Sequence, residues 1–160
     1  MSSHGGMVLV SGEAGIGKTT LVGAAVEHAR TLDAIPVVGT CSSSPAAPAL
    51  WPWTQVVRAL QRALGTAEFE TFIADAGLDP TDLTTLAEPG NDPEFGLFDS
   101  LASMLAAVAH RHPLVIVVED LHWADLATID LLGHLARHTW FERLLLVGTY
   151  RDTEIDGSGT

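Results

Sequence analysis

The sequence predicts an α/β fold built on a parallel sheet, and three observations point to it. Short unbroken apolar runs alternate along the chain with segments of helical period, the alternation that strands joined by helical crossovers produce. The run LVIVV, Leu114 to Val118, has no polar residue in it, as a strand buried on both faces of a parallel sheet requires. The first apolar run leads straight into a glycine-rich turn and then a helix-compatible segment.

The elements follow in order. Residues 7–11, MVLVS, read as a buried strand entering a tight turn. From Lys18 to Arg30 a helix is predicted, with Leu21, Val22, Ala25, Val26 and Ala29 on one face. Residues 35–40, IPVVGT, form a second strand, and Pro36 places it at a sheet edge. The stretch 41–52, CSSSPAAPALWP, is a loop that launches a helix carrying Trp53, Val56, Val57, Leu60 and Leu64 at helical spacing. A shorter helix is predicted over 67–76 and a surface loop over 77–93. Residues 94–111 read as a helix with Leu97, Leu101, Met104, Leu105 and Val108 on one side. After the LVIVV strand come a helix over 125–138, a fourth strand over 144–149 and a loose polar tail from Asp152 to Thr160. The domain therefore spans 1–151, with 152–160 as a flexible tail.

Length and composition fit one domain. The chain has 160 residues, of which 47% are hydrophobic and 18% charged, enough apolar material for a real core. Acidic residues outnumber basic ones 20 to 8, for a formal charge of -12. Such a surface repels nucleic acid and anionic membrane. No apolar run reaches the roughly 20 residues of a membrane helix, and the start MSSHGG lacks the features of a secretory signal. Cys41 is the sole cysteine, so no internal disulfide forms and a reducing, cytoplasmic setting is expected.

Lys18 is the sole lysine, and it falls inside GEAGIGKTT. Gly12, Gly17, Lys18 and Thr19 satisfy G-x-x-x-x-G-K-[ST] between a predicted strand and a predicted helix. Glycines let such a loop fold into a nest of backbone N–H groups around phosphate oxygens. The helix that follows adds its partial positive charge. Lys18 supplies a point charge for the β and γ phosphates, Thr19 a hydroxyl for Mg²⁺, and Thr20 a bond to a phosphate nearer the sugar. The candidate nucleotide-binding set is Gly12, Glu13, Ala14, Gly15, Ile16, Gly17, Lys18, Thr19 and Thr20. The Glu13 side chain has no role of its own in it.

The run LVIVVED ends in Glu119 and Asp120. Acids there stand at the carboxyl edge of the sheet, where open α/β folds bind ligands. One acid can hold Mg²⁺ while its neighbour orients or activates an attacking water. The usual order has Asp first; here Glu119 precedes Asp120. Either Glu119 takes the metal side with its longer arm or the register moves by one, and both acids remain candidates for catalysis and for the metal, with Thr19.

Read onward, EDLHWAD (Glu119 to Asp125), GEAGIGKTTL, GTYR at 148–151 and the CSSSPAAPALWPW loop together resemble the STAND branch of AAA+-like ATPases. More narrowly they resemble the ATPase module of large LuxR-type, MalT-like transcriptional regulators. The resemblance runs from about Val8 to Arg151. It implies a three-layer P-loop NTPase of the ASCE type with sheet order 5-1-4-3-2, an ATP and Mg²⁺ site, and a nucleotide switch that hydrolyses ATP slowly if at all. It also implies a γ-phosphate sensor at Arg151, after a strand ending in Thr149, and self-association through a longer protein. The family's fifth strand and helical lid would follow residue 160, so the chain reads as a fragment. Adenine rests on the resemblance, beside the lack of an N-K-x-D guanine reader. A non-hydrolysing nucleotide-binding or interaction module and an inactive truncated remnant are the alternatives.

The remaining candidates read more plainly. His122 is a surface histidine before it is a base, and Trp123 a packing anchor against the sheet edge. Asp125 is placed to cap the next helix. Trp51 and Trp53 are core or interface anchors at a loop-to-helix junction, with a place near the adenine as the other reading. His110 and His112 have no metal-ligand spacing to cysteine. His134 and His138, four apart on one predicted helix, could in principle hold a metal but read as helix-surface residues.

Overall fold

A computed structural model describes residues 6–12, 17–78, 95–138 and 143–151. The strands are β1 (Gly6–Ser11), β2 (Ile35–Thr40), β3 (Leu114–Glu119) and β4 (Leu144–Tyr150). The helices are α1 (Lys18–Thr31), α2 (Trp51–Leu64), α3 (Thr66–Asp75), α4 (Phe95–Arg111) and α5 (Leu126–His138), with a 3-10 turn over Leu121–Trp123. The four strands form one sheet in the order β1-β4-β3-β2, and every neighbouring pair is parallel. That is the order the resemblance implies for its first four strands. Residues 79–93 of the expected 77–93 loop and the tail over 152–160 lie outside the described residues.

The pleat of β3 sorts its side chains between two layers. Val115 and Val117 face α1, where they meet Val10, Val22, Val26 and Val147. Leu114, Ile116 and Val118 face the larger core formed with α2 to α5, alongside Trp53, Leu105, Leu131 and Leu146. Ile116 and Val118 are fully buried, each stabilising the fold by about 1.5–3 kcal/mol relative to exposure. The unbroken LVIVV run is thus explained by helices on both faces of a central strand.

The α1 layer is thinner than its sequence predicts. Of the expected face only Val22 and Ala29 are buried, Val26 is half-buried and Ala25 exposed, and Leu21 is 60% exposed. Among the described residues one helix covers this side of the sheet. Its contact is a narrow stripe, and the flanks of the helical face stay in solvent.

Both sheet edges are informative. Pro36 lies on β2, which among the described residues pairs with β3 alone, the edge position where a strand tolerates proline. The end of β2 is shielded by a side chain. The Gln55 amide donates to Thr40 O at 2.9 Å, and the Thr40 N–H donates to Gln55 Oε1 at 3.3 Å. This carboxamide occupies the ladder positions of a further strand. Gly39 permits the approach, because a Cβ there would stand 2.2 Å from Pro52 O. Pro52 sits in the first turn of α2, where its missing N–H costs nothing. At the other edge β1 exposes Met7, Val8 and Leu9.

Trp53 is a core anchor: it is 2% exposed and its indole N–H donates to Thr128 O at 3.1 Å, tying α2 to α5. Trp51 is half-buried under the Arg58 guanidinium, 5.7 Å from the ring centroid. Asp125 caps α5 as expected, its Oδ2 accepting from the Thr128 N–H at 3.2 Å. Among the described residues no helix is long and apolar enough to cross a membrane.

Candidate functional site

The site is assembled at the carboxyl edge of the sheet, where β1, β3 and β4 end. Gly12 follows β1 and is buried, and its carbonyl accepts a hydrogen bond from the Lys18 ammonium. Residues 13–16 lie outside the described residues, so the expected roles of Glu13, Ala14, Gly15 and Ile16 are not placed. Gly17 is the N-cap of α1 with φ 97°, a left-handed conformation that favours glycine. A Cβ there would meet nothing within 4 Å, so Gly17 answers a backbone demand rather than a crowded neighbour. Lys18, Thr19 and Thr20 form the first turn of α1, and a helix N-terminus favours an anion through its amides and dipole.

An open cleft of about 390 Å³ is lined by Gly17, Lys18, Thr19, Thr20, Asp120, His122 and Arg151. Residues from both ends of the described chain thus meet in one concavity. The sheet order explains how. The end of β4 lies between β1 and β3, so Arg151 falls between the α1 terminus and Asp120.

The two acids are positioned differently. Asp120 lines the cleft with φ 61°, a left-handed turn that bends the chain out of β3. Its N–H donates to Thr149 Oγ1 at 3.1 Å, and Thr149 is buried. The hydroxyl at the end of β4 therefore fixes the backbone of the acid at the end of β3. Glu119 does not line the cleft. Its Oε2 accepts from Thr40 Oγ1 at 3.4 Å, toward the β2 edge.

His122 is more integrated than a surface histidine. It is half-buried, and its Nδ1 accepts the Arg151 N–H at 3.2 Å. That bond leaves the proton of a neutral ring on Nε2. Nε2 is buried with no hydrogen-bond partner among the described residues. The sequence signal was its place in EDLHWAD, but a histidine after a strand gives no warning that another strand's end will close over it. Trp123 corrects the expectation of a packing anchor. The 3-10 turn points Leu121 inward, so that a Cβ at Gly148 would meet Leu121 Cδ1 at 2.5 Å. Trp123 is left 44% exposed, its ring 5.2 Å from His122.

A second cavity, between the Cys41–Pro52 loop and the 3-10 turn, is lined by Cys41, Trp51, Trp123 and Asp125 among others. Burial, then the charges of Asp125 and Asp120, push the Cys41 thiol up to about 12. These surroundings favour the protonated thiol over the nucleophilic thiolate at neutral pH.

The cleft suits a polyphosphate with its divalent ion. One lysine, two hydroxyls and a helix N-terminus face one carboxylate across an open volume, the donor set of a magnesium–phosphate complex. Lys18, Thr19, Thr20 and Gly17 could hold phosphates there, and Thr19 and Asp120 could hold Mg²⁺.

Comparison with known proteins agrees with this fold. The AAA ATPase domain family model matches residues 1–147. An uncharacterized protein of Rhizobium meliloti (strain 1021) is 28% identical over 172 aligned residues, covering 94% of this chain and 17% of that protein. The crystal structure of Cdc6p from Pyrobaculum aerophilum superposes with a TM-score of 0.50 at 16% identity, covering 97% of this chain and 35% of that one. The latter likeness is one of fold. The chain therefore spans about a sixth of its curated relative and about a third of the structural one.

Proposed function

Because this chain belongs to the AAA ATPase domain family, we propose that it is a Mg²⁺-dependent ATP-binding core that acts as a nucleotide switch and hydrolyses ATP slowly if at all. The observation that supports this best is the meeting of Lys18 and Thr19 with Asp120 and Arg151 in one cleft. Lys18 and the N-terminal amides of α1 bind the phosphates, and Thr20 bonds one nearer the sugar. Thr19 with Asp120 or Glu119 would hold Mg²⁺, which supplies charge neutralisation on the phosphates when bound. The remaining acid orients water. Arg151 faces the γ-phosphate end, and the His122 ring holds the Arg151 backbone.

The finer assignment, to the ATPase module of a LuxR-type transcriptional regulator, rests on EDLHWAD and GTYR. It carries the expectations of self-association in a longer protein and of no direct nucleic-acid contact by this acidic chain. A second reading, nucleotide binding without turnover, is favoured by Glu119, which engages Thr40 and leaves Asp120 as the carboxylate lining the cleft.

Calorimetric titration of Mg²⁺-ATP and Mg²⁺-GTP into the chain tests the proposal, with Lys18→Ala as control. Saturable ATP binding, weaker for GTP and lost in the variant, is the expected result. Absence of ATP binding to a chain that melts cooperatively would sink it. Phosphate release that depends on Lys18 separates the switch that turns over from the module that does not.

A further inference from the structure

Away from the cleft, α4 and α5 bring together two imidazoles and a carboxylate. His134 and His138 lie one helical turn apart on α5, and Asp99 faces them from α4. One ligand-capable atom from each of the three lies within 4.8 Å of the others. The His134 and His138 ring centroids are 4.0 Å apart. His134 corrects the helix-surface expectation: it is 7% exposed and packs 5.9 Å from the Phe98 ring.

The contact between His134 and Asp99 is the telling one. Nε2 stands 2.9 Å from Asp99 Oδ1, within ion-pair distance, yet this buried nitrogen makes no aligned hydrogen bond among the described residues. The two atoms are close without the alignment of a hydrogen bond. Nitrogen and oxygen ligands of one ion behave this way. Bonds of about 2.0–2.1 Å put adjacent ligand atoms about 2.9 Å apart at a right angle and about 3.3 Å apart in a tetrahedron. Imidazoles favour a borderline transition ion, whereas Mg²⁺ and Ca²⁺ prefer oxygen alone.

We infer that Asp99, His134 and His138 form a binding site for a divalent ion of the zinc class, which clamps α4 to α5 and keeps its remaining position for water. The site shares no residue with the nucleotide cleft and stands independently of the function proposed above.

Zinc titration of the nucleotide-free chain, by calorimetry and by thermal melting, tests the inference. One equivalent should bind saturably and raise the melting temperature, and Co²⁺ in its place should give visible d–d absorption. His138→Ala and Asp99→Asn alter exposed side chains, so both should fold with the melting temperature of the metal-free parent. Each should lose more than about tenfold in zinc affinity. His110→Ala, outside the cluster, should bind as the parent does. The inference is overturned if the parent binds no zinc, if either ligand variant binds unchanged, or if His110→Ala loses binding equally.

Discussion

Cys41 shows what one residue carries at the junction of two strands. Its N–H donates to Glu119 O at 2.9 Å, extending the β2–β3 ladder by one bond, while its thiol is buried beside two carboxylates. Burial chiefly, then Asp125 and Asp120, raise its pKa from 9.0 to about 12. The sign of the consequence follows. The folded chain holds the thiol proton more tightly than the unfolded chain does, so this stability is fully present below 9.0 and is lost as pH rises from 9.0 toward about 12. Denaturant midpoints measured across that window should fall more steeply for the parent than for Cys41→Ala. Parallel curves for the two proteins would show that the thiol does not titrate as its surroundings require. At neutral pH, the same burial should leave native Cys41 inert to alkylating reagents that modify the unfolded chain.

Among the elements, the seating of α2 on β2 depends most on a missing side chain. A Cβ on Gly39 would approach Pro52 O to 2.2 Å and Pro52 C to 2.8 Å, and both are backbone atoms that cannot swing aside. On Gly148 the obstacles are Leu121 Cδ1 at 2.5 Å and Leu9 Cδ2 at 2.9 Å, which are ends of flexible side chains. Overpacking costs about 1–3 kcal/mol. Gly39→Ala should fall at or above the top of that range and Gly148→Ala near the bottom. Urea unfolding of both variants checks the order, and equal losses would mean that α2 shifts freely on the sheet. Such contacts mark the limit of what is legible in the sequence. The LVIVV strand and the Asp125 cap could be read because local pattern determines each. The same locality let the start of α1 at Lys18 be read before any fold was known. The exposure of Leu21 could not be read, since it depends on how much of the sheet a single helix covers. Nor could the closure of Arg151 over His122, or the approach of Asp99 to His134, because each joins segments whose meeting is set by strand order and helix packing.

At the scale of the molecule, the sheet is finished on one side and, among the described residues, open on the other. The β2 edge is shielded by Gln55. The β1 edge has β4 as its one neighbour among the described residues, and Met7, Val8 and Leu9 are 43%, 49% and 51% exposed. An apolar edge strand with unpaired backbone groups templates association. The chain should associate with rising concentration in sedimentation experiments. Val8→Lys should suppress this association without loss of secondary structure, and identical behaviour of parent and variant would place the contact elsewhere. The outward turn of Trp123 has an optical consequence as well. Trp53 is sealed in the core while Trp123 is 44% exposed, its ring tilted against His122, which lines the open cleft. A soluble quencher should reach Trp123 far sooner than Trp53. Charge arriving at the phosphate loop should shift the red edge of the emission through the local field, which makes intrinsic fluorescence an unlabelled gauge of whether the cleft is filled.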